Sequence, residues 1–208
     1  MGDPQITGTA ERMKFFTDAV VAIAMTLLIL PLLESVAEAA RNNVDTADFL
    51  GDHGDELFAF VLSFLIIGRF WVGHERLFGY VERWTGLLMT LNMLWMLSIV
   101  FLPVATSIVG SMKTDPVQLS LYIGTMIVNV LLMTAMQVAV LRTPAIWAGE
   151  AGPPRERLVS SLVLLALLGL ALVLGLALPG VGYLALLVLL LGGPLNTVVQ
   201  RRRQGRRR

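Results

Sequence analysis

Arg12, Thr17 and Asp18 stand at the head of a long apolar run, RMKFFTDAVVAIAMTLLILPLLE, which covers residues 12 to 34. A carboxylate at the edge of a hydrocarbon layer is tolerated when it faces protein, water or a partner group, so Asp18 marks a functional or architectural site. A second polar set, Arg69, Trp71, His74, Glu75 and Phe78, occupies the end of the next apolar run, in RFWVGHERLF. Trp71 and His74 are three residues apart and share a helix face. At the same membrane depth as Arg12 and Asp18, His74 can satisfy Asp18 and the Trp71 indole can donate a hydrogen bond. Taken singly, this tryptophan reads as an interfacial anchor and this histidine as an interfacial polar residue. Asn92, in the third run, adds an interhelical hydrogen-bonding group whose modest strength suits orientation more than bulk stability.

The same first run carries an aliphatic stripe. Ile23, Leu27, Leu30 and Glu34 recur at i, i+4, i+7 and i+11, one face of a 3.6-residue helix. Asp18 lies roughly 140° from Ile23 on that helix, so the two serve different surfaces. Facing a symmetry axis, the stripe would stack rings of branched aliphatic side chains, a constriction that gates by dewetting. Thr26 would place a hydroxyl beside it, and Glu34 would mark an acidic outer mouth that concentrates cations. The plain alternatives are packing or lipid contact for the stripe, a bond from Thr26 to its own backbone, and a solvated helix end for Glu34. Pro31 opposes the carbonyl of Leu27, which fits either a kink or a helix terminus.

These elements need a membrane. The chain is 56% apolar with a mean hydropathy of +0.74 and has no cysteine, which excludes a disulfide framework and thiolate chemistry. We expect an all-α polytopic membrane protein with six spans, at about 13 to 33, 57 to 78, 86 to 110, 117 to 141, 158 to 178 and 183 to 200. They form one domain, residues 1 to 200, followed by a basic tail, residues 201 to 208, RRRQGRRR. The leader MGDPQITGTAE lacks the basic region of a signal peptide, so the first span reads as retained. No internal repeat is visible, so a symmetric pore requires several chains.

Basic residues set the orientation. Arg12, Lys14, Arg76, Arg83, Arg142, Arg155, Arg157 and the Arg tail fall on one side. The first loop on the other side holds Glu34, Glu38, Asp45, Asp48, Asp52, Asp55 and Glu56. Both termini are therefore expected in the cytoplasm, with the tail touching anionic lipid. His53 among these acids reads as part of a solvated loop, not a metal site. No nucleophile and base pair, phosphate loop or H-E-x-x-H motif suggests an enzyme, and neither a cofactor nor nucleic acid is expected. The glycines at 169, 175, 192 and 193 are expected to permit close helix packing.

Arg12, Phe16, Thr17 and Asp18 resemble the R-x-x-x-F-S-D signature that opens the first helix of the transmembrane-protein-175 family of potassium channels, with Thr17 in place of serine. W-x-x-H-x-x-x-F from Trp71 to Phe78, Asn92, and the F-L-P turn at Phe101, Leu102 and Pro103 look like the same pattern. The resemblance covers residues 12 to 110. It implies a potassium-permeable channel without a TVGYG-type filter, tetrameric in its single-unit bacterial members, with the first helix lining the pore. By position it implies Ile23, Leu27 and Leu30 in the hydrophobic constriction, Thr26 near selectivity, and Arg12, Thr17, Asp18, Trp71 and His74 in a network holding the first helix. The expectation is a potassium-selective leak channel of the cytoplasmic membrane. The alternatives are a proton-coupled secondary transporter using Asp18 and His74 as a relay, and a noncatalytic scaffold. The lack of a repeat or of paired broken helices weighs against the transporter.

Overall fold

A computed structural model describes residues 6 to 113, 115 to 150 and 152 to 178, together with Leu186. The expected sixth span, Leu186 apart, and the Arg tail lie outside the described residues. Among the described residues, five helical segments are long and apolar enough to cross a membrane. The chain runs as strand β1 (Ile6–Thr9), helices α1 (Glu11–Leu27), α2 (Leu30–Arg41), α3 (Thr46–Asp52) and α4 (Gly54–Phe78), strand β2 (Arg83–Thr85), then α5 (Gly86–Ser111), α6 (Pro116–Arg142) and α7 (Glu156–Ala177).

The helix limits have local causes. Thr85 accepts a hydrogen bond from the Leu88 amide at 3.2 Å and starts α5. Asp115 accepts from the amides of Val117 and Gln118, both at 2.8 Å, and Pro116 fills the first turn of α6. Pro31 interrupts the first span as expected: the chain turns at Leu28 and Ile29, and α2 restarts with Pro31 in its first turn. The polar connection after it is largely helical. Arg41 ends α2, and Asn43 follows with φ +52°, the left-handed conformation in which asparagine commonly stops a helix. α5, by contrast, runs through Pro103.

α5 forms the centre of the bundle, packed against α1, α4 and α6, with α7 on the far side of α6. Trp95, Ile99, Leu102, Tyr122, Ile123 and Met126 are fully buried between them. Apolar side chains also cover the outside, Leu65, Leu97 and Val117 among them, as expected where the surrounding solvent is hydrocarbon. Several buried polar groups are paired across helices. Thr106 donates to Ser63, which pairs with the Tyr122 hydroxyl, both at 2.8 Å. Trp95 donates to Asn129 at 3.1 Å, and Asn129 to Ser98 at 2.9 Å. Gly169 departs from expectation. A Cβ there would meet nothing within 4 Å, so no neighbouring helix among the described residues requires its small size.

At the end of the bundle where α1 begins, three segments are tied by backbone bonds that the sequence patterning did not reveal. β1 pairs antiparallel with β2, Ile6 opposite Thr85 and Thr9 opposite Arg83. The Ala10 amide donates to Glu82 O at 2.8 Å, and the Glu82 amide donates to Ile146 O at 2.9 Å. The Trp147 indole closes the set by donating to Val140 O at 2.8 Å. These bonds satisfy loop backbone and fix the approach of the chain to α1.

Candidate functional site: the first helix and its anchors

α1 has a docked face and an open face. Thr17, Val21, Ala24 and Leu28 recur at i, i+4, i+7 and i+11 and are buried against α4 and α5. Ile23 and Leu27 lie about 110° around α1 from them, and Leu30 follows at the start of α2. These side chains are 59%, 38% and 47% exposed in the protomer, and Glu34 is exposed beyond them. Much of the stripe is therefore left open in the protomer. Thr26 lies on the same open side, but its hydroxyl donates to Ile23 O at 2.8 Å, the local bond that threonine commonly makes in a membrane helix.

Two adjacent residues anchor the docked face to two different helices. Asp18 accepts from the Trp71 indole of α4 at 2.8 Å. Thr17, fully buried, accepts from the Asn92 amide of α5 at 2.9 Å. The Asn92 oxygen in turn accepts from His74 Nε2 at 2.7 Å, so α1, α5 and α4 form one chain of bonds. The His74 ring is stacked between Phe78 and Trp95, with centroid distances of 4.1 and 4.4 Å. Trp84 stacks on Phe78 and extends the aromatic layer.

This geometry corrects the expected pairing of Asp18 with His74. Although Trp71 and His74 lie on one side of α4, His74 points into the buried layer beside α5, whereas Trp71 lies at the partly exposed edge beside Asp18. Arg12 is exposed and has no hydrogen bond to the network among the described residues. At the other end, Ser35 of α2 donates to Glu56 of α4 at 2.8 Å, a tie not anticipated from sequence. Gly110 makes room for it, since a Cβ there would lie 3.3 Å from the Glu56 backbone. His53 stacks on Phe49 at 4.3 Å, a local role within the connection.

This chain of donors and acceptors ties α1 to α5 and α4. Comparison with known proteins bears on what the oriented helix does. Residues 12 to 103 match the family described as the endosomal/lysosomal potassium channel TMEM175. A potassium channel of Streptomyces collinus is 31% identical over 170 residues, which cover 80% of this chain and 81% of that one. The endosomal/lysosomal proton channel TMEM175 of Gallus gallus is 29% identical over 121 residues, 56% of this chain but 23% of the longer relative. The crystal structure of a lysosomal potassium-selective channel TMEM175 homolog from Chamaesiphon minutus shares the fold, with a TM-score of 0.66 and 20% identity over 93% of this chain and 97% of that one.

Proposed function

The chain belongs to the TMEM175 family, and from that premise we propose that it is a potassium-permeable leak channel of the cytoplasmic membrane, a homotetramer whose four α1 helices line a central pore. The observation that carries this reading is the open aliphatic stripe of Ile23 and Leu27 on α1, continued by Leu30 of α2, on a helix docked elsewhere by two separate anchors. Around an axis the stripe makes stacked apolar rings, where a narrow water column is unstable and ions lose their hydration. Glu34 stands at the outer end and raises the local cation concentration. Arg12 faces outward from each protomer, where a neighbouring subunit can reach it.

Single-channel recording from the purified chain in planar bilayers, with potassium and sodium on opposite sides, tests the reading. A reversal potential favouring potassium is expected, with flux that does not saturate as a carrier would. Stoichiometric proton movement with saturating flux would indicate a transporter, and no flux a scaffold. Current carried by protons in the absence of potassium would favour the activity named for the animal relatives. In the same recordings, Thr26→Val should leave the permeability ratio unchanged if the hydroxyl remains engaged by Ile23 O, and should lower it if that hydroxyl turns to the ion.

Orientation is a second expected result. The basic residues at the end where α1 begins support an orientation with both termini inside and residues 35 to 56 outside. A cysteine at Asn43 should react with an impermeant maleimide added outside, and one appended after Arg208 only after the membrane is opened. The reverse pattern would invert the topology.

A further inference from the structure

We propose that a cavity between α4, α6 and α7 binds the phosphate of an anionic phospholipid. The cavity has a volume of about 250 Å³ and is lined by Arg69, Arg76 and Arg157 together with Gln137 and Ser160. Among the described residues that line it, none is acidic. Three arginines line one cavity with no carboxylate among its described lining residues, an arrangement that favours an anion at a membrane edge.

The Arg157 guanidinium is held in place by neutral groups. It donates to the Arg76 carbonyl and lies 4.9 Å from the centre of the Tyr80 ring, so it is positioned without losing its charge to a partner. Arg69 stands seven residues before Arg76, about 10 Å further along α4 and away from the end where α1 begins. That distance carries it into a hydrocarbon layer about 30 Å thick, where free phosphate does not accumulate but a lipid headgroup drawn down between helices can reach. Met133 and Leu164 form an apolar wall of the same cavity, a surface suited to the first carbons of an acyl chain. Serine and glutamine complete the donor set, and guanidinium groups match phosphate oxygens in pairs. The described lining residues do not include those of the Arg tail, and the proposal does not depend on what the pore conducts.

The test is thermal unfolding of the full chain in a neutral detergent with added dioctanoyl-phosphatidylglycerol, dioctanoyl-phosphatidylcholine or inorganic phosphate. The phosphatidylglycerol is expected to raise the unfolding temperature and the phosphatidylcholine to leave it unchanged. Arg69→Gln and Arg76→Gln should each raise the mole fraction needed for half of the effect by about fivefold, and together by about twenty-fivefold. Arg83→Gln, a charge removed from β2 outside the cavity, should not shift it. All variants keep the Arg tail, so their differences report the cavity. Ser160→Asp keeps every arginine and adds a carboxylate to the cavity, and it should abolish the response if the arginine variants fold poorly. An unchanged phosphatidylglycerol response in Ser160→Asp or in the double variant would overturn the proposal. So would equal stabilisation by the two lipids, or protection by inorganic phosphate equal to that by phosphatidylglycerol.

Discussion

Ile23→Asn is expected to raise cation current about tenfold, the effect of lowering a barrier by about 1.4 kcal/mol. Ile23 is the most exposed member of the α1 stripe, and its branched side chain holds no water. An amide in its place offers a donor and an acceptor to a water chain and, repeated around an axis, keeps the ring wet at little ionic desolvation. Leu27→Asn and Leu30→Asn should act in the same direction, and selectivity should weaken as the ring widens. The control lies on α5: Leu97 is 65% exposed, yet that surface belongs to the outside of the bundle. Leu97→Asn is expected to reduce membrane insertion or stability while leaving unitary conductance unchanged. If the three stripe variants assemble normally and conduct as the wild type does, the stripe faces lipid and the proposed pore is misplaced. If Leu97→Asn changes conductance and Ile23→Asn does not, the axis lies on another face of the bundle.

The membrane architecture was largely legible because hydrocarbon imposes a length on apolar runs. The second to fifth expected spans agree with α4, α5, α6 and α7 to within three residues at each end. The sharpest boundaries are those that carry a capping group, Thr85 before α5 and Asp115 before α6. Strand β1 was not legible. Its four residues, ITGT, are too few to show alternation, and their partner lies more than seventy residues away in β2. The anchors of α1 were legible as residue types and membrane depth but not as pairs. Sequence places Asp18, Trp71 and His74 at one level of the bilayer and offers Asn92 as an interhelical group, whereas their partners depend on how each helix is turned about its own axis. Burial settled it here: a ring stacked between Phe78 and Trp95 faces α5, so His74 meets Asn92. Thr26 illustrates the same limit, since nothing in its spacing distinguishes a hydroxyl offered to an ion from one bonded to Ile23 O.

That rotation makes the anchor network testable by its pattern of coupling. Asn92→Leu removes the acceptor of His74 and the donor to Thr17 in one step, leaving two buried polar groups unpaired. Each unpaired group typically costs about 1 to 3 kcal/mol in a dry interior. Hydrogen bonds between membrane helices average nearer about 0.6 kcal/mol, because the separated helices find other partners. His74 is stacked on both ring faces and Thr17 is fully sealed, so the larger figure applies, and Asn92→Leu is expected to cost about 2 kcal/mol of stability. Thr17→Val with Asn92→Leu, and Asp18→Ala with Trp71→Phe, are expected to be less damaging in pairs than their separate effects added. Asp18→Ala with His74→Ala should instead be additive within about 0.5 kcal/mol, since the two side chains belong to different bonds. Strong coupling between Asp18 and His74, with none between His74 and Asn92, would show that α1 docks in a different rotation from the one described. Recordings from the same variants separate orientation from conduction. Loss of open probability with an unchanged permeability ratio fits a helix that has lost its anchor, whereas an altered ratio in Asp18→Ala would put that carboxylate on the ion path.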